Sequence, residues 1–307
     1  IRMNGGTAMM RILGIVGVQI CICVPIIVFQ FCKGKEFFSK EHWGYALRIG
    51  IPIVPHYLSG IILNQGDRIM IDKMVGKTEV ALYGLAYSIG MLVQLFISGM
   101  NSALTPWMYS KIKKGDIRSM RKVLQLLSVV VVGIAVALML ISPELVLIFG
   151  SPKYREAVYV IPPVAASVFF IFIYNILSMP QFYYEKTQFL MAASMAAAGA
   201  NVVLNFIFIR LFGYIAAGYT TLACYMLYSV GHYIVSKRIL VNEGIQENLM
   251  SPGFLVACSA FLIGASIICN LIFPYRILRY AILLASAGLV FWKKELLLKT
   301  MADIRKK

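Results

Sequence analysis

The chain is 307 residues long, 60% hydrophobic and only 14% charged, with a formal net charge of +16. That much apolar surface cannot be buried in a water-soluble core of this size, which excludes a soluble domain and puts most residues in lipid. The basic excess does not call for nucleic acid, since no soluble module mixing aromatic and basic residues is present.

A helix needs about 20 apolar residues to cross a hydrocarbon core roughly 30 Å thick, and nine stretches approach that length. They are Ile12 to Cys32, Tyr45 to Leu63, Leu82 to Leu104, Val123 to Phe149, Val158 to Leu177, Phe189 to Ile209, Ile215 to Val235, Phe254 to Phe273 and Ile277 to Trp292. The chain opens on Ile1-Arg2 with no signal-peptide pattern before the first of them, which reads as an internal start. Cys21, Cys23, Cys32, Cys224, Cys258 and Cys269 all fall in or beside apolar runs. With no second pair to complete a tetrahedral site, they read as packing residues, and neither a metal nor a cofactor is expected.

Lysine and arginine sort by alternate connections: 18 lie on the side that includes the C-terminus and 10 on the other, with Arg48 inside a span. The excess marks the cytoplasmic side, so the C-terminus is expected in the cytoplasm. The basic run Lys111 to Lys122, interleaved with Met108, Ile112 and Met120, and the tail with Leu297, Met301 and Ile304, read either as interfacial helices on anionic lipid headgroups or as orientation signals alone.

Polarity enters the membrane chiefly in the second span. It carries Arg48, Gly50, Pro52, Pro55 and His56 and runs on into Asn64-Gln-Gly-Asp-Arg68. Each proline removes a backbone donor and clashes with the preceding turn, so the helix is expected to kink or unwind between Gly50 and Pro55. Arg48 either lines a cavity or snorkels to the interface. Asp67 and Arg68 read as an interfacial pair or cap with Asp72 and Lys73, or as cavity residues. His56 reads as a packing residue or a proton carrier. Gln94, Asn101, Asn175, Gln181, Asn201 and Asn205 place amides in or beside helices, to join them or to line a cavity. The carboxylates near spans, Asp67, Asp72, Glu79, Glu144, Glu156 and Glu185, all sit at predicted ends. Exporting a cation calls for a carboxylate in the core, whereas a lipid pyrophosphate calls for arginine or lysine, and the pattern favours the anion.

Several strings resemble the Wzx-type polysaccharide flippases of the multidrug/oligosaccharidyl-lipid/polysaccharide exporter superfamily. They are Lys33-Gly-Lys-Glu-Phe-Phe-Ser-Lys-Glu-His-Trp-Gly-Tyr-Ala-Leu-Arg-Ile-Gly-Ile-Pro, Leu63-Asn-Gln-Gly-Asp-Arg-Ile-Met-Ile, Tyr83-Gly-Leu-Ala-Tyr-Ser, Ala103-Leu-Thr-Pro-Trp, Ser142-Pro-Glu, Tyr159-Val-Ile-Pro-Pro-Val, and the run from Asn205 to Thr221. In order and spacing they extend over nearly the whole chain.

The resemblance implies an all-α polytopic membrane protein of two six-helix lobes and two further helices, 14 spans with both ends cytoplasmic. The nine spans here would be the sixth to the fourteenth. Residues 1–42 would hold the last helix of the first lobe and the inter-lobe loop, 43–237 the six-helix C-terminal lobe, and 238–307 the two additional helices and a basic tail. It also implies a flippase without catalytic residues, moving a polyprenyl-pyrophosphate oligosaccharide across a bacterial cytoplasmic membrane by alternating access. Its partners would be that substrate, anionic membrane lipids, the first lobe of the same protein and a polysaccharide polymerase. Carried onto this chain, the cavity residues are Arg48, His56, Asn64, Asp67 and Arg68, beside a helix break at Gly50, Pro52 and Pro55. Rival readings are a cation-coupled drug exporter or a lipid II flippase of the same superfamily. From another class, a membrane-embedded polymerase or acyltransferase would need catalytic groups clustered on a sizeable loop, which the short connections do not offer.

Overall fold

A computed structural model describes residues 8–35 and 38–292. The basic residues from Lys293 onward, the amphipathic tail with Leu297, Met301 and Ile304, and Arg2 lie outside the described residues. Among the described residues there is no strand, and the chain is an all-α polytopic membrane protein.

The chain divides into two compact units, Ile1–Ile51 and Pro52–Lys307. The first contains α1 (Ala8–Gly34), a 27-residue apolar helix with Pro25 inside it, and the start of α2 (Lys40–Met74). The second contains the rest of α2, then α3 (Lys77–Gly90), α4 (Leu92–Lys114), α5 (Ile117–Phe149), a 3₁₀ helix (Pro152–Val160), α6 (Ile161–Tyr183), α7 (Thr187–Phe212), α8 (Ile215–Asn242), α9 (Pro252–Ile272) and α10 (Arg276–Trp292).

Each of the nine predicted spans has its helix. Seven segments are long and apolar enough to cross a membrane, with α3 and α4 counted together and the 3₁₀ helix counted with α6. The other two are α8 and α10. Helix α8 is the more polar because the side it buries carries Thr220, Thr221, Ser229 and His232, and α10 has only 17 residues. The second span runs well past its predicted end at Leu63, so that Asn64 to Arg68 lie within a continuous helix. Unwinding at Gly50 to Pro55 does not occur: the backbone is helical through Pro52 and Pro55. The prolines cannot donate to the carbonyls one turn back, but the ladder resumes at once, and the Ser59 hydroxyl donates to the Pro55 carbonyl at 2.7 Å.

A separate interruption falls at Met91, between α3 and α4. Beside it α3 packs closely on α6: a Cβ on Gly90 would lie 2.7 Å from Val164 Cγ1 and 2.9 Å from Val164 Cβ, so only glycine permits this approach. Gly218 brings α8 onto α6 in the same way, its absent Cβ 3.1 Å from Pro163 Cγ. The resulting centre is α6, every residue of which is buried from Ile161 to Ile173, packed against α3, α4, α5, α8 and α9. Large apolar side chains such as Leu95, Leu147, Phe206, Leu227, Val256 and Leu271 point outward, as a lipid solvent requires.

The turn between α4 and α5 has its own chemistry. Gly115 takes φ of 68° and its N–H meets the Ile112 carbonyl, while the Asp116 side chain accepts from Ser119 N at 3.3 Å and pairs with Lys111 Nζ at 2.6 Å. The basic run Lys111 to Lys122 therefore forms a tight helical hairpin end.

Candidate functional site

Helix α2 presents two neighbouring stripes, each with a four-residue step. Ser59, Leu63, Asp67 and Ile71 are buried, whereas His56, Gly60, Asn64 and Arg68 line a cavity of about 740 Å³. The opposite wall comes from α3, α6 and α8 and includes Tyr87, Tyr174, Asn175, Ser178, Tyr225 and Tyr228.

These side chains hold one another in place. Asn64 donates to the Gly60 carbonyl at 2.8 Å and accepts from the Tyr87 hydroxyl at 2.7 Å and the Tyr225 hydroxyl at 3.2 Å. His56 Nδ1 lies 3.1 Å from both Ser194 Oγ and Tyr228 Oη. Tyr174 stacks parallel to Tyr225 with ring centres 6.2 Å apart and lies 4.5 Å from Tyr228. The Arg68 guanidinium sits 5.3 Å over the Tyr87 ring and its Nη1 donates to Gln65 Oε1 at 3.4 Å, but its Nε is enclosed without a partner. Arg68 is the one arginine or lysine on the cavity wall among the described residues.

Asp67, next to Arg68 in sequence, occupies different surroundings. It is fully buried, and its Oδ2 accepts from Tyr83 Oη and from Thr221 Oγ1 at 2.6 Å, its Oδ1 from Asn205 Nδ2 at 2.6 Å. Asn205 also meets Asn201 Oδ1 at 3.2 Å and receives the Thr220 hydroxyl. This overturns its reading as a carboxylate at the end of its span, paired or capped with Asp72 and Lys73. The buried stripe of α2 carries it inward, and neutral donors take both of its oxygens. A carboxylate enclosed without an ion pair is costly, and a proton or a bound cation relieves that cost. Side-chain oxygens of Asp67, Asn201, Asn205 and Thr221 gather here, and oxygen ligands suit a hard cation. No group of three or more His, Cys, Asp and Glu side chains occurs among the described residues, and the cysteines are free.

Of the predicted residues, His56, Asn64 and Arg68 meet on one cavity, and Asp67 lies in the adjoining sealed cluster. Arg48 is exposed, in the first unit. Of the predicted amides, Asn175 lines the cavity, Asn205 joins α7 to α2 and α8, Asn201 is buried and accepts from Asn205 on its own helix, and Gln181 Nε2 lies 2.8 Å from Nδ1 of the buried His232. The tyrosines and threonines were missed. Their signals in the sequence are Tyr83 and Tyr87 at a four-residue step on α3, and Thr220, Thr221, Tyr225 and Tyr228 at helical spacing inside an apolar stretch on α8.

A bundle of long apolar helices with lipid-facing side chains outside and a polar, tyrosine-walled cavity inside is an integral multi-pass membrane protein. The family described as "Polysaccharide biosynthesis protein" matches residues 6–113, a stretch that contains the first four of the resemblance strings. Two proteins of Haemophilus influenzae are similar. "Lsg locus putative protein 1" is 29% identical over 159 residues, 49% of this chain and 38% of that protein. An "Uncharacterized membrane protein" is 28% identical over 191 residues, 58% of this chain and 46% of that protein. The matched stretches therefore span less than half the length of either relative. No solved structure matches. These matches bear out the resemblance to the polysaccharide exporters.

Proposed function

We propose that residues 43–237 form the second lobe of a two-lobe flippase, with residues 1–42 closing the first lobe and 238–307 adding two helices. Its cargo is a polyprenyl-pyrophosphate-linked oligosaccharide, carried across a bacterial cytoplasmic membrane with the C-terminus on the cytoplasmic side. The protein is a transporter rather than an enzyme, and its further partners are anionic lipids and a polysaccharide polymerase.

The observation that carries this reading is the cavity wall. Tyrosine faces suit the apolar faces of sugar rings, amides and hydroxyls suit their hydroxyl groups, and Arg68 supplies the cation a phosphate oxygen needs. Arg48 is the second candidate for headgroup contact. The test is complementation of a flippase-deficient strain by the full-length gene, comparing wild type with Arg68→Ala and Arg48→Ala at matched expression. Loss of rescue in Arg68→Ala is expected. Rescue by both variants overturns these residues as the headgroup contact, and failure of the wild type overturns the substrate class.

A second feature, the buried Asp67, favours a cation-coupled cycle in which this carboxylate takes up and releases its counter-charge as the lobe moves. It removes the main ground on which the sequence disfavoured cation coupling. Asp67→Asn keeps the shape and loses the charge. Transport by that variant should become independent of the sodium and proton gradients, and an unchanged gradient dependence rules out Asp67 as the coupling group.

A further inference from the structure

A second polar cavity, of about 820 Å³, opens where the end of α5, the 3₁₀ helix and the start of α10 meet. Its charged lining is Glu144, Lys153, Arg155, Glu156, Arg276 and Arg279, four cations against two carboxylates. Glu144 is spent on Arg279: Nη1 and Nη2 each donate to it at 2.8 Å, and Nη1 also meets the Leu140 carbonyl at 2.6 Å. Lys153, Arg155 and Arg276 are exposed and take part in no ion pair among the described residues. Only Glu156 remains to balance them.

Loop orientation does not account for this cluster. These four are among the ten lysines and arginines on the side with fewer of them, and α5, some 50 Å long, separates the cavity from the basic hairpin at Lys111 to Lys122. An independent observation points to a ligand. Arg279 belongs to the cavity lining and is 3% exposed, and although Glu144 takes both of its terminal nitrogens, its Nε is enclosed and without a partner. The first turn of α10 begins at Arg276, and its open N–H groups and dipole add to the positive potential at the same spot. Beside the charges stand the exposed Leu147 and Tyr159, with the buried Phe273 ring 5.8 Å from that of Tyr159, an apolar rim to the cavity.

We propose that this cavity binds the phosphate oxyanion of a membrane amphiphile. Lys153, Arg155 and Arg276 contact the phosphate, the buried Arg279 offers its unpartnered Nε–H, and the apolar rim takes the first part of the lipid chain. The Arg279–Glu144 pair holds α10 to α5, so an occupied site draws the exposed cations into the same junction.

The test uses the full-length gene product in nanodiscs of mixed phosphatidylglycerol and phosphatidylcholine, with retained lipid read by native mass spectrometry. The triple variant Lys153→Gln, Arg155→Gln and Arg276→Gln alters exposed side chains only, and an unchanged melting temperature verifies its fold. Retained phosphatidylglycerol should fall roughly tenfold, with phosphatidylcholine unaffected. The same triple replacement at Lys113, Lys114 and Arg118, at the far end of α5, should leave it in place. Displacement by millimolar inorganic phosphate or pyrophosphate would mean that the site takes any phosphate oxyanion. Retention against both would mean that it requires the lipid headgroup. If the Lys153, Arg155 and Arg276 variant holds phosphatidylglycerol as wild type does, or if the distal variant loses it equally, the site is overturned.

Discussion

Arg68 and Asp67 are consecutive residues, yet one borders a cavity of about 740 Å³ and the other has no exposed surface at all. A helix turns about 100° per residue, so α2 serves an open wall and a sealed cluster with side chains one position apart. On the open wall, Asn64 and Arg68 face space that water or a ligand fills, and Arg68 Nε is left without a protein partner. In the cluster, Tyr83, Thr221 and Asn205 use up the oxygens of Asp67. Polarity of the first kind recognises something, while polarity of the second kind fixes four helices, α2, α3, α7 and α8, to one another. The two kinds separate under mutation.

The largest effect belongs to Asp67→Ala. It strands three buried donors, and the purified protein should lose about 3 kcal/mol of stability, read as a lowered melting temperature in detergent. A variant that melts with wild type would show the cluster to be wet, and the contrast with Arg68 would collapse. Thr221→Val keeps the volume and removes a single hydroxyl from the carboxylate, for an expected loss of about 1.5 kcal/mol. Tyr87→Phe removes a hydroxyl from Asn64 on the cavity wall, where water can take its place, and chemical denaturation should register about 0.5 to 1 kcal/mol. The smallest stability effect is Arg68→Ala, roughly 0.5 kcal/mol or less, even though complementation is lost. Equal destabilisation by Arg68→Ala and Asp67→Ala would mean that both residues are structural.

Much of this organisation was legible in the sequence. Nine apolar stretches gave nine helical segments, because length and hydropathy are all that a span needs. His56, Asn64 and Arg68 could be grouped because they share one helix at a four-residue step. Asp67 was misplaced for a physical reason. Hydropathy falls at Asn64-Gln-Gly-Asp-Arg68, and a window that scores apolarity must end the span there, whereas the helix continues because α7 and α8 supply the polar partners. Such partners are set by tertiary packing at sequence distances of 138 and 154 residues, which no local pattern records. The same limit applies at Gly90. The close approach there is made to Val164, on a helix that begins some 70 residues later, which no local pattern announces.

The enclosure of α6 has a consequence for how this protein tolerates change. From Ile161 to Ile173 no side chain of α6 is free of protein neighbours, while α7 buries only a stripe through Leu190, Ser194, Ala197, Asn201 and Asn205. A comprehensive substitution scan should therefore trace a 3.6-residue rhythm along α7 and a flat band of intolerance along α6.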